Sequence, residues 1–234
     1  ITLMIMKSIF LSLLLFFSGS ALAQDPLPAW NEGPSKKAII HFVQETTRPS
    51  SKQFIPPEER IAVFDNDGTL WSEQPLYVQL AFAIDRIKTL APQNPQWKTQ
   101  QPFKAVLEND IQAIKASGQK GIFELIAATH AGMSTDAFQV IVSDWLKTAR
   151  HPSSNRPYTE MIYQPMIELL AYLRSNGYTN YIVSGGGTEF MRPWTQKAYG
   201  IPPERIIGST IKSKFLEVNG QYRIIGLPEL EWIN

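Results

Sequence analysis

Hydrophobic and polar positions follow two kinds of pattern along this chain, and the change between them organises it. Residues 61–64 (IAVF) are a short apolar run ending abruptly in DNDGT, the form of a buried parallel strand emerging into a loop. Across 75–149 the period becomes helical. Leu76, Leu80, Ile84 and Ile87 recur every three or four residues in 75–90; Val106, Leu107, Ile111 and Ile114 do the same in 103–118, with Gly118 as a C-cap. A third helix is predicted over 121–132 and a fourth over 134–149, opened by a Ser or Thr cap ahead of Asp136. Helix and strand then alternate: helix 161–177, strand 180–184, helix 188–200 despite Pro193, and strand 205–209. KFLEV and QYRIIGL, joined by Asn219-Gly220, carry a hairpin signature. A short helix over 36–47 precedes the first strand.

This order predicts an α/β fold, with a Rossmann-like parallel sheet, a helical cap inserted after the first strand and a β-hairpin near the C-terminus. The expected division is an α/β core from 24–72 and 151–234, and a helical cap over 73–150.

Residues 1–23 stand apart. Lys7, an apolar run from Ile9 to Phe17 and the Ala21-Leu22-Ala23 box have the layout of a secretory signal peptide. A membrane anchor or buried helix is the alternative, but the run is short for a bilayer. The expectation is a periplasmic or secreted protein with no stable membrane insertion after cleavage. The 22 basic residues less Lys7 leave 21 against 21 acidic ones. Such neutrality offers no electrostatic footprint for nucleic acid. The absence of cysteine excludes disulfides and cysteine-ligated zinc. His41, His130 and His151 are scattered without paired spacing, which favours core or surface roles over zinc binding.

The chemistry concentrates at Asp65. IAVFDNDGTLW places Asp65 and Asp67 two residues apart just beyond a strand, where open α/β sheets form their ligand crevice. Two acids in one turn repel each other, and a divalent cation with oxygen ligands would offset that repulsion. One carboxylate can coordinate metal and attack phosphorus, while the other serves the leaving-group oxygen as acid and then water as base. Gly68 permits the tight turn, and Thr69 offers an N–H and a hydroxyl to phosphate oxygens. An ordinary Asx turn remains the alternative for DNDG alone. A calcium loop fails, because Gly68 is fourth and Leu76 twelfth from Asp65.

The DxDGT pattern at Asp65–Thr69 resembles the first motif of the haloacid-dehalogenase-like superfamily, mostly phosphatases working through a phospho-aspartate. The resemblance implies Asp65 as nucleophile, Asp67 as general acid/base, and Mg²⁺ held by Asp65 and the Asp67 carbonyl. Members that displace halide lack the second aspartate, so Asp67 implies a phosphatase. YIVSGG, ending its strand at Ser184, is similar to the second motif and implies that Ser184 and the N–H of Gly185 hold the phosphoryl group. The helical insert resembles the cap of the phosphoserine-phosphatase-like branch, in which Glu73 would contact substrate. Trp71 would wall the pocket or pack between domains, and Arg192 would be a helix-surface or salt-bridge residue.

Two family motifs are not visible. Lys212 and Lys214 come too early for the third, a helix-borne lysine, though either could approach phosphate. Asp144 is the last aspartate, so the acidic fourth motif has no counterpart. The resemblance therefore implies either a chain lacking the family's carboxy-terminal portion or a degenerate member acting as a binding or scaffold protein. An exposed sheet edge open to self-association would follow from missing strands. The reading is a magnesium-dependent phosphomonoester hydrolase acting on a small phosphorylated metabolite.

Overall fold

The computed structural model describes residues 25–232, and the expected signal peptide lies outside them. Helix α1 (Pro34–Thr47) starts with Pro34 in its first turn, where the missing N–H costs nothing. Its Val43 packs against Leu173 and Tyr178, and Thr46 Oγ1 meets the Tyr178 hydroxyl at 2.5 Å. That seam carries the chain into strand β1 (Ile61–Phe64).

The insert that follows β1 is built on five α-helices: α2 (Val78–Leu90), α3 (Phe103–Leu107), α4 (Ile111–Ala116), α5 (Gly118–Ala128) and α6 (Thr135–Thr148). The expected single helix over 103–118 is divided. Asn109 turns left-handed (φ 58°), and Asp110 recaps the chain by accepting from the Ala113 N–H at 2.9 Å. Ser134 caps α6 as expected, accepting from the Ala137 N–H at 3.2 Å.

The sheet resumes through α7 (Gln164–Ser175), β2 (Thr179–Gly187), α8 (Thr188–Tyr199), β3 (Ile206–Val218) and β4 (Gln221–Trp232). Strand order is β1-β2-β3-β4; the first three are parallel, and β4 pairs antiparallel with β3. Asn219 and Gly220 both take positive φ, as the tight hairpin requires. The α/β architecture, the helical insertion after β1 and the terminal hairpin are therefore all present. Strand 205–209 and KFLEV, expected as separate elements, are one continuous strand, although its pairing with β4 shifts register between Thr210 and Ser213. β1 also differs from expectation. Among the described residues it has a strand on one side only, and Ile61 and Val63 are 56% and 58% exposed.

Besides the α1 seam, two larger apolar clusters hold these layers. One joins Leu70, Phe82, Phe138, Phe190, Trp194 and Ile182, tying the insert to the sheet. Trp71 stacks on Trp194 within it (4.3 Å between centroids, 22°). The other, including Leu80, Ile87, Phe103, Ile114 and Leu125, lies wholly within the inserted helices. Truncating one of the buried phenylalanines costs about 3–5 kcal/mol. Among the described residues no helix is long and apolar enough to cross a membrane.

Candidate active site

β1 ends at Phe64 and delivers Asp65, Asn66 and Asp67 into a turn at the carboxyl end of the sheet. The turn closes on itself. Asn66 O accepts from the N–H groups of Thr69, Leu70 and Trp71, and the Gly68 N–H donates to Trp71 O at 2.9 Å. Gly68 sits at φ 72°, which a side chain would strain, and a Cβ there would meet the Glu73 carboxyl carbon at 2.8 Å. Asn66 is buried, and its Oδ1 accepts from the Tyr199 hydroxyl at 3.1 Å. That bond pins the turn to α8.

The two aspartates then diverge in environment. Asp65 is exposed, and its Oδ1 accepts from the Asn66 N–H at 2.7 Å. Asp67 is half-buried, with Oδ1 accepting from the Trp71 indole N–H at 2.6 Å. Burial pushes the Asp67 carboxyl up to about 6, aided by the charges of Asp65 and Glu73 and opposed by the Trp71 bond. Burial, with the Asp67 charge, also drives the Tyr199 phenol far above its ordinary range. Tyr199 thus stays neutral and serves Asn66 as a donor.

The second element comes from β2. Its pairing with β3 runs from Val183↔Ile207 to Gly187↔Ser209, so Ser184, Gly185 and Gly186 bulge out of the ladder. The glycines permit that bulge, and Ser209 Oγ holds it by donating to Gly185 O at 2.9 Å. The buried Ser184 Oγ accepts from the Gly186 N–H at 3.2 Å. A Cβ placed on Gly186 would stand 3.6 Å from Ser184 Oγ and 3.8 Å from Asp67 Oδ2. The bulge therefore brings the serine to the acidic turn.

Asp65, Asp67, Glu73, Ser184 and Gly185 line one cavity of about 370 Å³, closed on its other side by Tyr77, Gln119 and Phe123 of the insert. Gly68 and Thr69 do not line it. The Thr69 N–H expected to meet phosphate is spent inside the turn on Asn66 O (3.2 Å). Trp71 is fully buried against Trp194 rather than walling the pocket. Lys212 is turned to Glu229 on the hairpin (2.7 Å), and neither it nor Lys214 lines the cavity. Arg192 pairs with Glu189 at 2.5 Å, the salt bridge expected of it. His151 is buried, with Nε2 2.6 Å from Gln74 O, and His130 is buried beside Thr129.

Several lining residues are not singled out by the sequence, and the most consequential of them is Gln79. Gln79 is buried on α2, where its Oε1 accepts from the Gly187 N–H at 2.7 Å. An amide two residues into an apolar helix was the available signal.

Among the described residues no group of three or more acids and histidines stands close enough to hold a metal ion. The cavity nonetheless has three carboxylates and, among the described residues, no basic side chain on its wall. A phosphate dianion would be repelled there unless a cation came with it. Magnesium commonly takes one or two carboxylates and completes its shell with water and phosphate oxygens. The donor set fits that kind of site, and it does not form a preassembled cage.

A family model described as haloacid dehalogenase-like hydrolase matches residues 62–231. A methylthioribose-1-phosphate isomerase from Gloeobacter violaceus is 31% identical over 111 residues, 47% of this chain and 26% of that protein. The chain thus spans about a quarter of the length of that curated relative. Among solved structures, a conserved protein of unknown function from Anaerococcus prevotii is 13% identical, with TM-score 0.49, over 84% of this chain and 71% of that one. A phosphoserine phosphohydrolase-like protein from Francisella tularensis is 17% identical, with TM-score 0.37, over 74% of this chain and 64% of that one. The family match runs from the first strand into the last, across the inserted helices, and on that ground the chain belongs to the haloacid dehalogenase-like hydrolases.

Proposed function

We propose that this protein is a magnesium-dependent phosphatase of small phosphorylated metabolites, built like the phosphoserine-phosphatase-like branch of its family. One observation carries the reading: Asp65, Asp67 and the Ser184-Gly185 bulge share the wall of a single cavity. The phosphate named in the Gloeobacter relative's substrate lends it further support.

In the first step an Asp65 carboxylate oxygen attacks phosphorus, and the bond from phosphorus to the ester oxygen breaks. The Asp67 carboxyl gives its proton to the departing alkoxide. In the second step water attacks the aspartyl phosphate, Asp67 takes the water's proton, the bond from Asp65 to phosphorus breaks, and phosphate leaves. Ser184 and the Gly185 N–H hold the non-bridging oxygens, while Glu73 faces the leaving group. Mg²⁺, held by the Asp65 carboxylate and the Asp67 carbonyl, would offset the charge between carboxylate and phosphate. The inserted helices, residues 73–150, act as the cap that shields this exchange from bulk water, over a core formed by 24–72 and 151–234. The protein works after export to the periplasm or beyond, and the open β1 edge allows self-association.

A second reading, a binding or scaffold protein without turnover, is favoured because no basic side chain among the described residues lies on the cavity wall. The two separate in one experiment. Phosphomonoester hydrolysis is measured over a metabolite panel with Mg²⁺, for the wild type and Asp65→Asn. Turnover by the wild type alone supports the phosphatase; equal turnover by both removes Asp65 as nucleophile, and none by either favours the binding protein.

A further inference from the structure

Behind the Asp65 cavity lies a second one of about 320 Å³, and the two share Gln79, Phe123, Ile126 and Gly185 as common walls. The far side of this chamber is the hairpin. β4 is laced to the insert where the Gly132 N–H donates to Gly226 O (2.9 Å) and the Gly226 N–H donates to Met133 O (3.0 Å). That ladder makes the hairpin a fixed wall.

Most of the lining surface is apolar, with Phe138, Phe190, Ile211 and Ile224 beside the shared Phe123 and Ile126, while Ser134, Thr135, Ser209, Thr210 and Ser213 add hydroxyl groups to the wall. Its inner charges neutralise each other: Glu189 pairs with Arg192 at 2.5 Å and also accepts from Gln139 Nε2 at 2.6 Å. Glu231, the remaining charged residue of the lining, is exposed. An anionic guest would give up water for a wall on which, among the described residues, the one cation, Arg192, is already paired, which is unfavourable.

His130 supplies a buried directional group to the chamber. It is 9% exposed and rests against Phe138, ring centroids 4.3 Å apart. Its Nδ1 lies 3.0 Å from Thr129 Oγ1, and the Thr129 hydroxyl donates its proton to Ile126 O at 2.6 Å. With that proton committed, Nδ1 must be the donor in the contact, so Nε2 carries the lone pair. Burial holds the imidazole down to about 4, which keeps it neutral and an acceptor near pH 7.

We propose that this chamber binds the organic part of the substrate, and that the part it selects is an uncharged alcohol with an apolar body and a hydroxyl or N–H that donates to His130 Nε2. This rests on the phosphomonoester reading of the Asp65 cavity. Gln79, buried at the junction and bonded to Gly187, is the positioning residue that sets the passage between the two spaces. Leaving groups with a free negative charge, phosphoserine among them, are disfavoured by the same lining.

The test compares 3-hydroxybenzyl phosphate, benzyl phosphate, phosphoserine and acetyl phosphate as substrates for the wild type, Ile224→Trp and His130→Phe. Expected are a kcat/KM for 3-hydroxybenzyl phosphate about tenfold above that for phosphoserine, and loss of the hydroxybenzyl-to-benzyl preference in His130→Phe. Ile224→Trp, which fills the chamber from the hairpin side, should lower the ratio of 3-hydroxybenzyl phosphate to acetyl phosphate by about tenfold or more. Unchanged ratios in both variants, or a preference for phosphoserine, overturn the proposal while leaving the phosphatase standing. Binding of 3-hydroxybenzyl alcohol, followed by NMR on the wild type, Asp65→Asn and Ile224→Trp, separates the two ideas. Binding lost only in Ile224→Trp, with no ester hydrolysed, keeps the chamber and discards the phosphatase. No binding to the wild type discards the chamber.

Discussion

The Trp71 indole N–H donates to Asp67 Oδ1 across 2.6 Å, while Asp67 Oδ2 faces the Ser184–Gly186 bulge. One oxygen of the carboxyl is therefore tethered and the other is aimed. The tether is itself rigid, because Trp71 is fully buried and stacked on Trp194.

Trp71→Phe keeps most of that stacking and removes the donor. With Oδ1 released, the carboxyl can rotate away from the leaving-group oxygen. Turnover should fall by about 10- to 100-fold with KM nearly unchanged, since substrate binding does not use the indole. A proportional rise in KM with kcat intact would show that Trp71 shapes the pocket instead.

Gly187→Ala tests the join between β2 and α2. A Cβ at Gly187 would stand 2.6 Å from Gln79 Nε2, so the amide must move and the Gly187 N–H loses its acceptor. A buried N–H left unpaired costs about 1–3 kcal/mol. In a domain of this size that is a fall of several degrees in Tm, measurable by calorimetry. An unchanged Tm would mean that Gln79 is not held there in solution.

How far the sequence revealed all this follows from where its signals are local. The Asp65 turn was legible because an apolar run stops abruptly at two acids and a glycine. The hairpin was legible because Asn219-Gly220 dictates its own turn. The break at Asn109-Asp110 was hidden by an apolar period that continues across it, so its cap passed as one more polar face. Strand β3 looked like two strands because its parallel half contacts β2 and its antiparallel half contacts β4, a change of partner that leaves no mark on composition. Burial of β1 was expected from its four apolar residues, yet Ile61 and Val63 are open, since coverage depends on distant elements. Gln79 and the second chamber depend on four helices and a hairpin meeting, which no window along the chain contains.

Metal dependence should appear as coupling with the anion. Three carboxylates around the cavity repel phosphate, and Mg²⁺ reverses that only when it has oxygens to share. Calorimetry should show inorganic phosphate binding at least about tenfold tighter with Mg²⁺ than with EDTA, and Mg²⁺ alone binding weakly. Asp65→Asn should erase the coupling. Equal phosphate affinity with and without metal would remove Mg²⁺ from the site.

The exposed residues of β1 give a prediction about association. Val63 is 58% exposed at a strand with, among the described residues, one neighbour, so Val63→Lys should shift any concentration-dependent oligomer toward monomer in sedimentation without lowering Tm. An oligomer that persists unchanged in the lysine variant would place the contact elsewhere.

His130 should make the fold acid-sensitive, and the sign follows from its environment. Burial lowers its folded pKa from about 6.5 to about 4, so between those values the unfolded chain binds a proton that the native state refuses. The stabilisation is fully present above about pH 6.5 and is lost as pH falls toward 4. Its full size is a few kcal/mol at most, since each pKa unit is worth about 1.4 kcal/mol. His130→Phe keeps the ring against Phe138 and removes the titration. Denaturant unfolding of both proteins at pH 7 and pH 4.5 should show the wild type losing more stability than the variant over that interval. The difference should survive high salt, because desolvation and not a screened ion pair causes it. Parallel losses in the two proteins would mean that the imidazole is already accessible to protons in the folded state.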